Sequence, residues 1–209
     1  MGCPREVQEL AVSLDVPAAV FGGVYATTRS LPSVDANLHQ TGRLMAQHMI
    51  DGGHRRIALL TRDTWLPGDH QALEGINEVL AAAGLSQGAL QLRSLPADTQ
   101  VLAAEIRHLL ESPQRPTGLI CRSRFFGDAA RRAIEAASLR IGEDLALISD
   151  ARNIRTHRPA DWPEVLPTAS FQDHAQRVGK LLSERIDDPR CAARHEVIPV
   201  RLVPPGGAS

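Results

Sequence analysis

An α/β fold, with parallel sheets flanked by helices, is the class this sequence predicts, and three observations carry the prediction. Short apolar runs alternate with amphipathic stretches along the whole chain. The runs are continuous rather than alternating, as in Ile57-Ala-Leu-Leu60, which is the pattern of a parallel strand covered on both faces. The joints carry stop and turn residues such as Gly52-Gly53, Gly84 and Pro96. Strand and helix in this order build right-handed βαβ units.

Taken in order, residues 5–14 read as a helix and 16–21 as a strand opened by Pro17 and ended by Gly22-Gly23. Residues 25–32 are polar and expected as loop, with a short extended piece at 33–35. Asn37 can cap a helix reaching Ile50. Leu44, Met45, His48 and Met49 share one stripe of that helix by three- and four-residue spacing. A strand over 57–61, a loop from Arg62 to Asp69 and a helix over 70–83 follow, the helix burying Leu73, Ile76, Val79 and Leu80. Next come a strand over 90–95, a helix to Leu110 capped by Asp98 or Thr99, and a proline-bearing linker at 112–116. A strand over 118–121, a helix over 125–137 and a strand over 145–148 continue the alternation. Residues 151–167 are polar, carry prolines and lack periodicity, so they are expected as a functional or crossing loop. A helix over 171–186 and a last strand over 195–203 complete the chain.

Composition excludes several classes. With 43% hydrophobic residues the chain can bury a core, in one large or two small units. Lys plus Arg number 23 against 24 Asp plus Glu, a net charge of −1, without the basic excess of a nucleic-acid-binding domain. Cys3, Cys121 and Cys191 are scattered, with no metal-type spacing, and read as free thiols of a reducing cytoplasm. No apolar run approaches a membrane span, and the first residues lack the apolar core of a secretory signal. No GxSxG, GxGxxG or Walker loop occurs, so acyl, dinucleotide and phosphoryl chemistry have no local motif. An enzyme on such a sheet would need a nucleophile, base or cofactor loop. None is found, and no catalytic residue, cofactor or metal is expected.

The wording of seven segments, in order, resembles the effector-binding domain of lac repressor-type transcription regulators, a type I periplasmic-binding-protein-like fold. They are Val16-Pro-Ala-Ala-Val-Phe21, Ser33-Val-Asp-Ala-Asn37, Gly53-His-Arg-Arg-Ile57, Glu74-Gly75, Arg115-Pro-Thr-Gly-Leu-Ile120, Leu139-Arg-Ile-Gly-Glu-Asp-Leu145 and Val197-Ile-Pro-Val-Arg-Leu202. The resemblance implies two lobes of parallel sheet joined by three crossings, with a small-molecule effector in the cleft. It divides the chain into a partial first lobe at 1–32, a complete second lobe at 33–165, a return helix at 166–194, and a closing strand and tail at 195–209. The family's opening strands and helix-turn-helix have no counterpart here, so the chain is expected to be a fragment that meets DNA only through a head it does not carry. Pro67-Gly-Asp69 and Ser94-Leu-Pro96 also resemble effector domains joined to GntR-type heads, which leaves the type of head open. The implied function is ligand sensing and homodimerisation in a cytoplasmic regulator, where effector binding closes the lobes and re-spaces the heads. The alternative is the solute-binding protein of a sugar transporter, which shares the fold but wants a signal peptide.

The cleft positions depart from the family. The arginine of its third element falls near Ala72, its Asn-Asp pair reads Arg122-Ser123, and its Gly-x-Asp-Asp reads Ser149-Asp-Ala-Arg152. In the family these groups clasp sugar hydroxyls. Arg122, Arg124 and Asp150 replace them at strand C-terminal ends, where α/β sheets bind ligands. Arginine pairs well with carboxylate or phosphate, so the effector is expected to be a sugar or sugar derivative carrying an anionic group. The alternative is that Arg122 and Arg124 are solvated or paired with Asp128. Trp65 and Asp69 stand in the loop at the cleft rim, Trp65 as a stacking surface or as a packed lid residue. Asp173, at the return crossing, and Trp162, in the long loop, complete the candidates. His54 is read as part of a structural turn.

Overall fold

The computed structural model describes residues 3–85, 87–151 and 159–207. In chain order the first elements are α1 (Arg5–Ser13), β1 (Val20–Phe21), a 3-10 turn at Ala26–Thr28, β2 (Ser33–Ala36), α2 (Leu38–Asp51), β3 (Ile57–Arg62) and α3 (Pro67–Ala82). After a second 3-10 turn come β4 (Leu90–Leu95), α4 (Thr99–Glu111), β5 (Gly118–Cys121), α5 (Arg124–Ala136) and β6 (Ala146–Asp150). The chain closes with β7 (Glu164–Pro167), α6 (Phe171–Asp187), β8 (His195–Ile198) and β9 (Val200–Val203).

Two sheets result. The larger has the order β4-β3-β5-β6-β7-β9, parallel throughout except for β9, which runs antiparallel to β7. The smaller is parallel, in the order β1-β2-β8. Strand β3 explains why its sequence is apolar without alternation. Ile57 and Leu59 pack with Met45, Met49 and Ile76 on one face, while Ala58 and Leu60 pack with Leu102, Ile106 and Ile134 on the other. Helices therefore cover both faces, and every residue of the run is buried. The smaller sheet rests on α6 through Val34, Ile198 and Leu181.

Three crossings join the sheets side by side. The Asn37 N–H donates to the Ile198 carbonyl at 2.8 Å, and the Thr168 N–H donates to the Pro199 carbonyl at 2.9 Å. Asn37 also caps α2, its side-chain oxygen accepting from the Gln40 N–H at 2.9 Å. At the other end of α2 it is Gly53, with φ +80°, that takes the left-handed position which a side chain would strain.

The structure departs from the sequence expectations in five places. Strand β1 begins at Val20, because Pro17 lacks the N–H a ladder needs. Helix α3 starts at Pro67, as proline suits the first helical turn, so Asp69 belongs to the helix and not to the loop. The stretch read as loop over 151–167 contains β7, too short and too proline-bounded to show a period, and 152–158 lie outside the described residues. The closing strand over 195–203 is two strands in two different sheets, parted at Pro199. Residues 33–36, grouped with the second lobe, pair in the smaller sheet.

Helices α2 and α3 cross at backbone contact. A Cβ on Gly42 would collide with the Ala72 carbonyl, and one on Gly75 with the His39 carbonyl. Gly42→Ala is expected to lower stability by about 1–3 kcal/mol through overpacking, read from urea unfolding. A second expectation concerns pH. Burial holds the His48 and His54 imidazoles below the ordinary histidine value, and His48 pushes His54 down further. The unfolded chain then takes up these protons first, so this contribution is complete above about pH 6.5 and is lost as pH falls through that range. A His54→Gln variant should lose less stability between pH 7 and pH 5 than the parent, measured by thermal unfolding across that interval.

Candidate functional site

The C-terminal ends of β3, β5 and β6 converge on one buried guanidinium. Arg122 directly follows β5, and only 2% of its surface is exposed. Its Nη1 donates to Asp150 Oδ2 at 2.8 Å, at the end of β6. Its Nη2 donates to Asp69 Oδ1 at 3.0 Å and to the Gly68 carbonyl at 3.4 Å, in the first turn of α3. Both carboxylates are 2% exposed. Asp69 Oδ2 meanwhile accepts the Leu66 N–H at 3.0 Å, capping α3. The Arg62 Nε, at the end of β3, stands 3.7 Å from the same Asp69 oxygen. These four side chains sum to zero formal charge.

A second node lies beside it. Arg124, the first residue of α5, donates to Glu164 Oε1 at 2.9 Å and to Asp128 Oδ1 at 3.3 Å. Its guanidinium stands 4.9 Å from the centroid of the Trp162 ring. Trp162 is buried, donates to Ser149 Oγ at 2.9 Å, and belongs to the core cluster between α4, α5 and the sheet. Ser149 Oγ in turn donates to Glu164 Oε1 at 3.2 Å.

In front of the first node opens a cleft of about 620 Å³, bounded by the start of α1, the segment after β1 and the β3–α3 joint. Tyr25 and Trp65 both line it. The Trp65 indole N–H donates to Ser94 Oγ at 3.2 Å, and its ring lies 4.9 Å from that of His70. The first-lobe wall hangs on Gln8. That side chain, 1% exposed, donates to the carbonyls of Cys3 and Gly23 and accepts from Thr28 Oγ1 at 2.7 Å. Thr28 Oγ1 accepts from the Tyr25 N–H at 3.0 Å, which sets the turn that presents Tyr25.

The candidates thus separate. Arg122, Asp150 and Asp69 are brought together, and Trp65 lines the cleft before them. Arg122 is not a free anion clasp, because two carboxylates occupy its fork. Arg124 is paired with Asp128, as the alternative held, but with Glu164 as well. Asp173 stands apart on α6, where its carboxylate accepts from the Ser170 N–H at 3.1 Å and Oγ at 2.7 Å, a helix cap that holds its acidity above the ordinary aspartate level. Trp162 serves as core. Arg152 lies outside the described residues. Sequence reasoning missed Arg62, Tyr25, Gln8 and Glu164. The single tyrosine next to Gly22-Gly23 was a usable signal for Tyr25, whereas nothing local marked Gln8. Burial pushes the Cys121 thiol well up, which removes it as a nucleophile.

Removing one partner from a buried ion group leaves an uncompensated charge. Asp69→Ala is expected to cost roughly 3–5 kcal/mol of unfolding free energy, while Arg131→Ala, which breaks an exposed helix pair, should cost under about 1 kcal/mol. Urea denaturation of both variants checks the contrast.

Comparison with known proteins agrees with this architecture. The family model described as periplasmic binding protein-like domain matches residues 46–206. The HTH-type transcriptional regulator AglR of Rhizobium meliloti is 30% identical over 179 residues, covering 83% of this chain and 49% of that protein. The CelR regulator of Thermobifida fusca is 27% identical over 88% of this chain and 53% of its own length. The chain thus spans about half the length of the curated relatives it matches. Among solved structures, a transcriptional regulator CelR–cellobiose complex superposes with a TM-score of 0.81 at 21% identity, over 100% of this chain and 64% of that one. With a family match over most of its length and transcription regulators as its relatives, the chain belongs to the periplasmic binding protein-like domain family, in the form found in lac repressor-type regulators.

Proposed function

We propose that this chain is the effector-binding part of a bacterial transcription regulator, with a sugar-like small molecule in the cleft controlling a DNA-binding head carried elsewhere in the regulator. The observation that carries the reading is the cleft itself. It opens at the C-terminal ends of parallel strands, between two sheets joined by three adjacent crossings, with aromatic walls and a polar floor. Closing such a cleft requires rotation about the crossings at Asn37, Thr168 and Pro199, and that rotation is the two-state element a ligand can bias. Coupling to DNA binding would be worth about 1–3 kcal/mol in the full regulator. The working form is a cytoplasmic homodimer acting on a two-fold operator.

Relatives support the ligand class. The CelR structure holds cellobiose, and a related regulator from Enterococcus faecium holds ribose. The kinship to regulators weighs against the solute-binding protein of a transporter. The same kinship supports a binding role rather than an enzymatic one, and the cleft needs no cofactor or metal for it.

The experiment is a thermal-shift titration of the 209-residue chain with ribose, cellobiose and a wider sugar set. Binding should raise Tm in proportion to the logarithm of ligand concentration, and the ligand should be recovered unchanged. Trp65→Ala should weaken the hit by roughly 0.5–1.5 kcal/mol if the ring stacks on it. A flat response to every sugar, or conversion of the ligand, would sink the reading.

A further inference from the structure

We propose that the effector carries a carboxylate or phosphate group, and that Arg62 is the residue that takes it; this rests on the reading of the cleft as the effector site. The inference begins with what the floor cannot do. Arg122, the obvious cation, spends its fork on Asp150 and Asp69 and is 2% exposed. Recognition therefore falls to the side chains lining the open cleft.

Arg62 is one of them. It ends β3, where the parallel sheet presents its ligand-binding edge. Its Nε is buried and finds no hydrogen-bond acceptor among the described residues. The nearest carboxylate oxygen, Asp69 Oδ2, is 3.7 Å away, beyond hydrogen-bond length, and already accepts the Leu66 N–H. The other Asp69 oxygen is held by Arg122. A buried guanidinium donor left unmade is costly. The side chain as a whole is 27% exposed and lines the cleft, so an anionic oxygen there would give the guanidinium the partner the interior does not supply, and the planar fork matches carboxylate or phosphate in two parallel bonds.

The surroundings fit a ringed anion. The cleft, of about 620 Å³, lies within the range of small-molecule sites, roughly 300–1,000 Å³. Tyr25 and Trp65 line it with aromatic surface for a sugar or planar ring. Glu6 is the acidic side chain of the lining, and Arg5 stands beside it.

The test is isothermal titration of the 209-residue chain with matched pairs: glucose against glucuronate and glucose 6-phosphate, and cellobiose against cellobionate. The expected result is that an acid or phosphate binds at least tenfold tighter than its parent sugar. Arg62→Gln should abolish that preference, Arg62→Lys should keep part of it, and the preference should shrink with added salt. The comparison within each pair on the parent protein decides even if a variant folds poorly. A parent sugar that binds as tightly as its acid and phosphate, or an acid unaffected by Arg62→Gln, overturns the proposal. If a neutral sugar then binds in a Trp65-dependent way, the effector reading stands alone. If no member of any pair binds, both fall.

Discussion

The Arg122 guanidinium, gripped between Asp69 and Asp150, is the interaction on which the cleft depends. It ties the segment after β5 to the end of β6 and to the first turn of α3, so it fixes the relative positions of three loops at once. Three charges out of water carry a heavy desolvation cost, offset only where geometry and further hydrogen bonds are good. Here Asp69 also caps α3, so one carboxylate serves the ion group and the helix terminus together. Pulling α3 away from the sheet edge would break the Arg122 bonds to Asp69 and to the Gly68 carbonyl together. A rigid floor follows whose three charges sum to −1 and are balanced by Arg62 at the cleft, and with it a division of labour between a floor that holds shape and a rim that meets ligand.

The same economy of contacts appears across the crossings. Asn37 caps α2 with its side chain and ties the end of β2 to β8 with its backbone, so the cap of the second lobe's first helix is also a hinge fastener. Gln8 does the comparable work on the opposite wall, where a single buried amide holds Cys3, Gly23 and Thr28 around Tyr25. The wall's geometry is thus set by hydrogen bonds from a helix and not by sheet packing. The wall and α1 are thereby tied to one another.

How much of this was legible in the sequence depends on the range of the interaction. The helices and buried strands were readable because their signals are local: the four-residue spacing of Met45 and Met49, the unbroken run at Ile57, the cap at Asn37. Strand β7 was not, since its four residues acquire strand character only by lying beside β6 and β9. Nor was the division of the closing strand, because Pro199 between Ile198 and Val200 looks like an interruption and not a change of sheet. At the site, strand-end logic found Arg122 and Asp150, but it assigned Arg122 outward. The error is instructive: two charged residues at adjacent strand ends lie close enough to satisfy one another, and a candidate ligand group must be checked against its neighbours' demand before it is offered to a ligand. Asp173 finds its partner in the same way, since the sequence signal of a cleft carboxylate there is identical to that of a capping box with Ser170.

Asp69 is the residue where these strands of argument meet. A carboxylate has two oxygens, and three donors reach for this one: the Leu66 N–H, the Arg122 fork and the Arg62 Nε. The first two come within 3.0 Å and the third stays at 3.7 Å. The order follows from rigidity. The amide is fixed by the helix and Arg122 is fixed by burial and by Asp150, while Arg62, at the cleft and partly exposed, has the freedom to be left over. An ion cluster with an odd donor at its edge is therefore not a defect of packing: the arrangement that satisfies the interior leaves its unmet demand on the one member of the group that also lines the cleft.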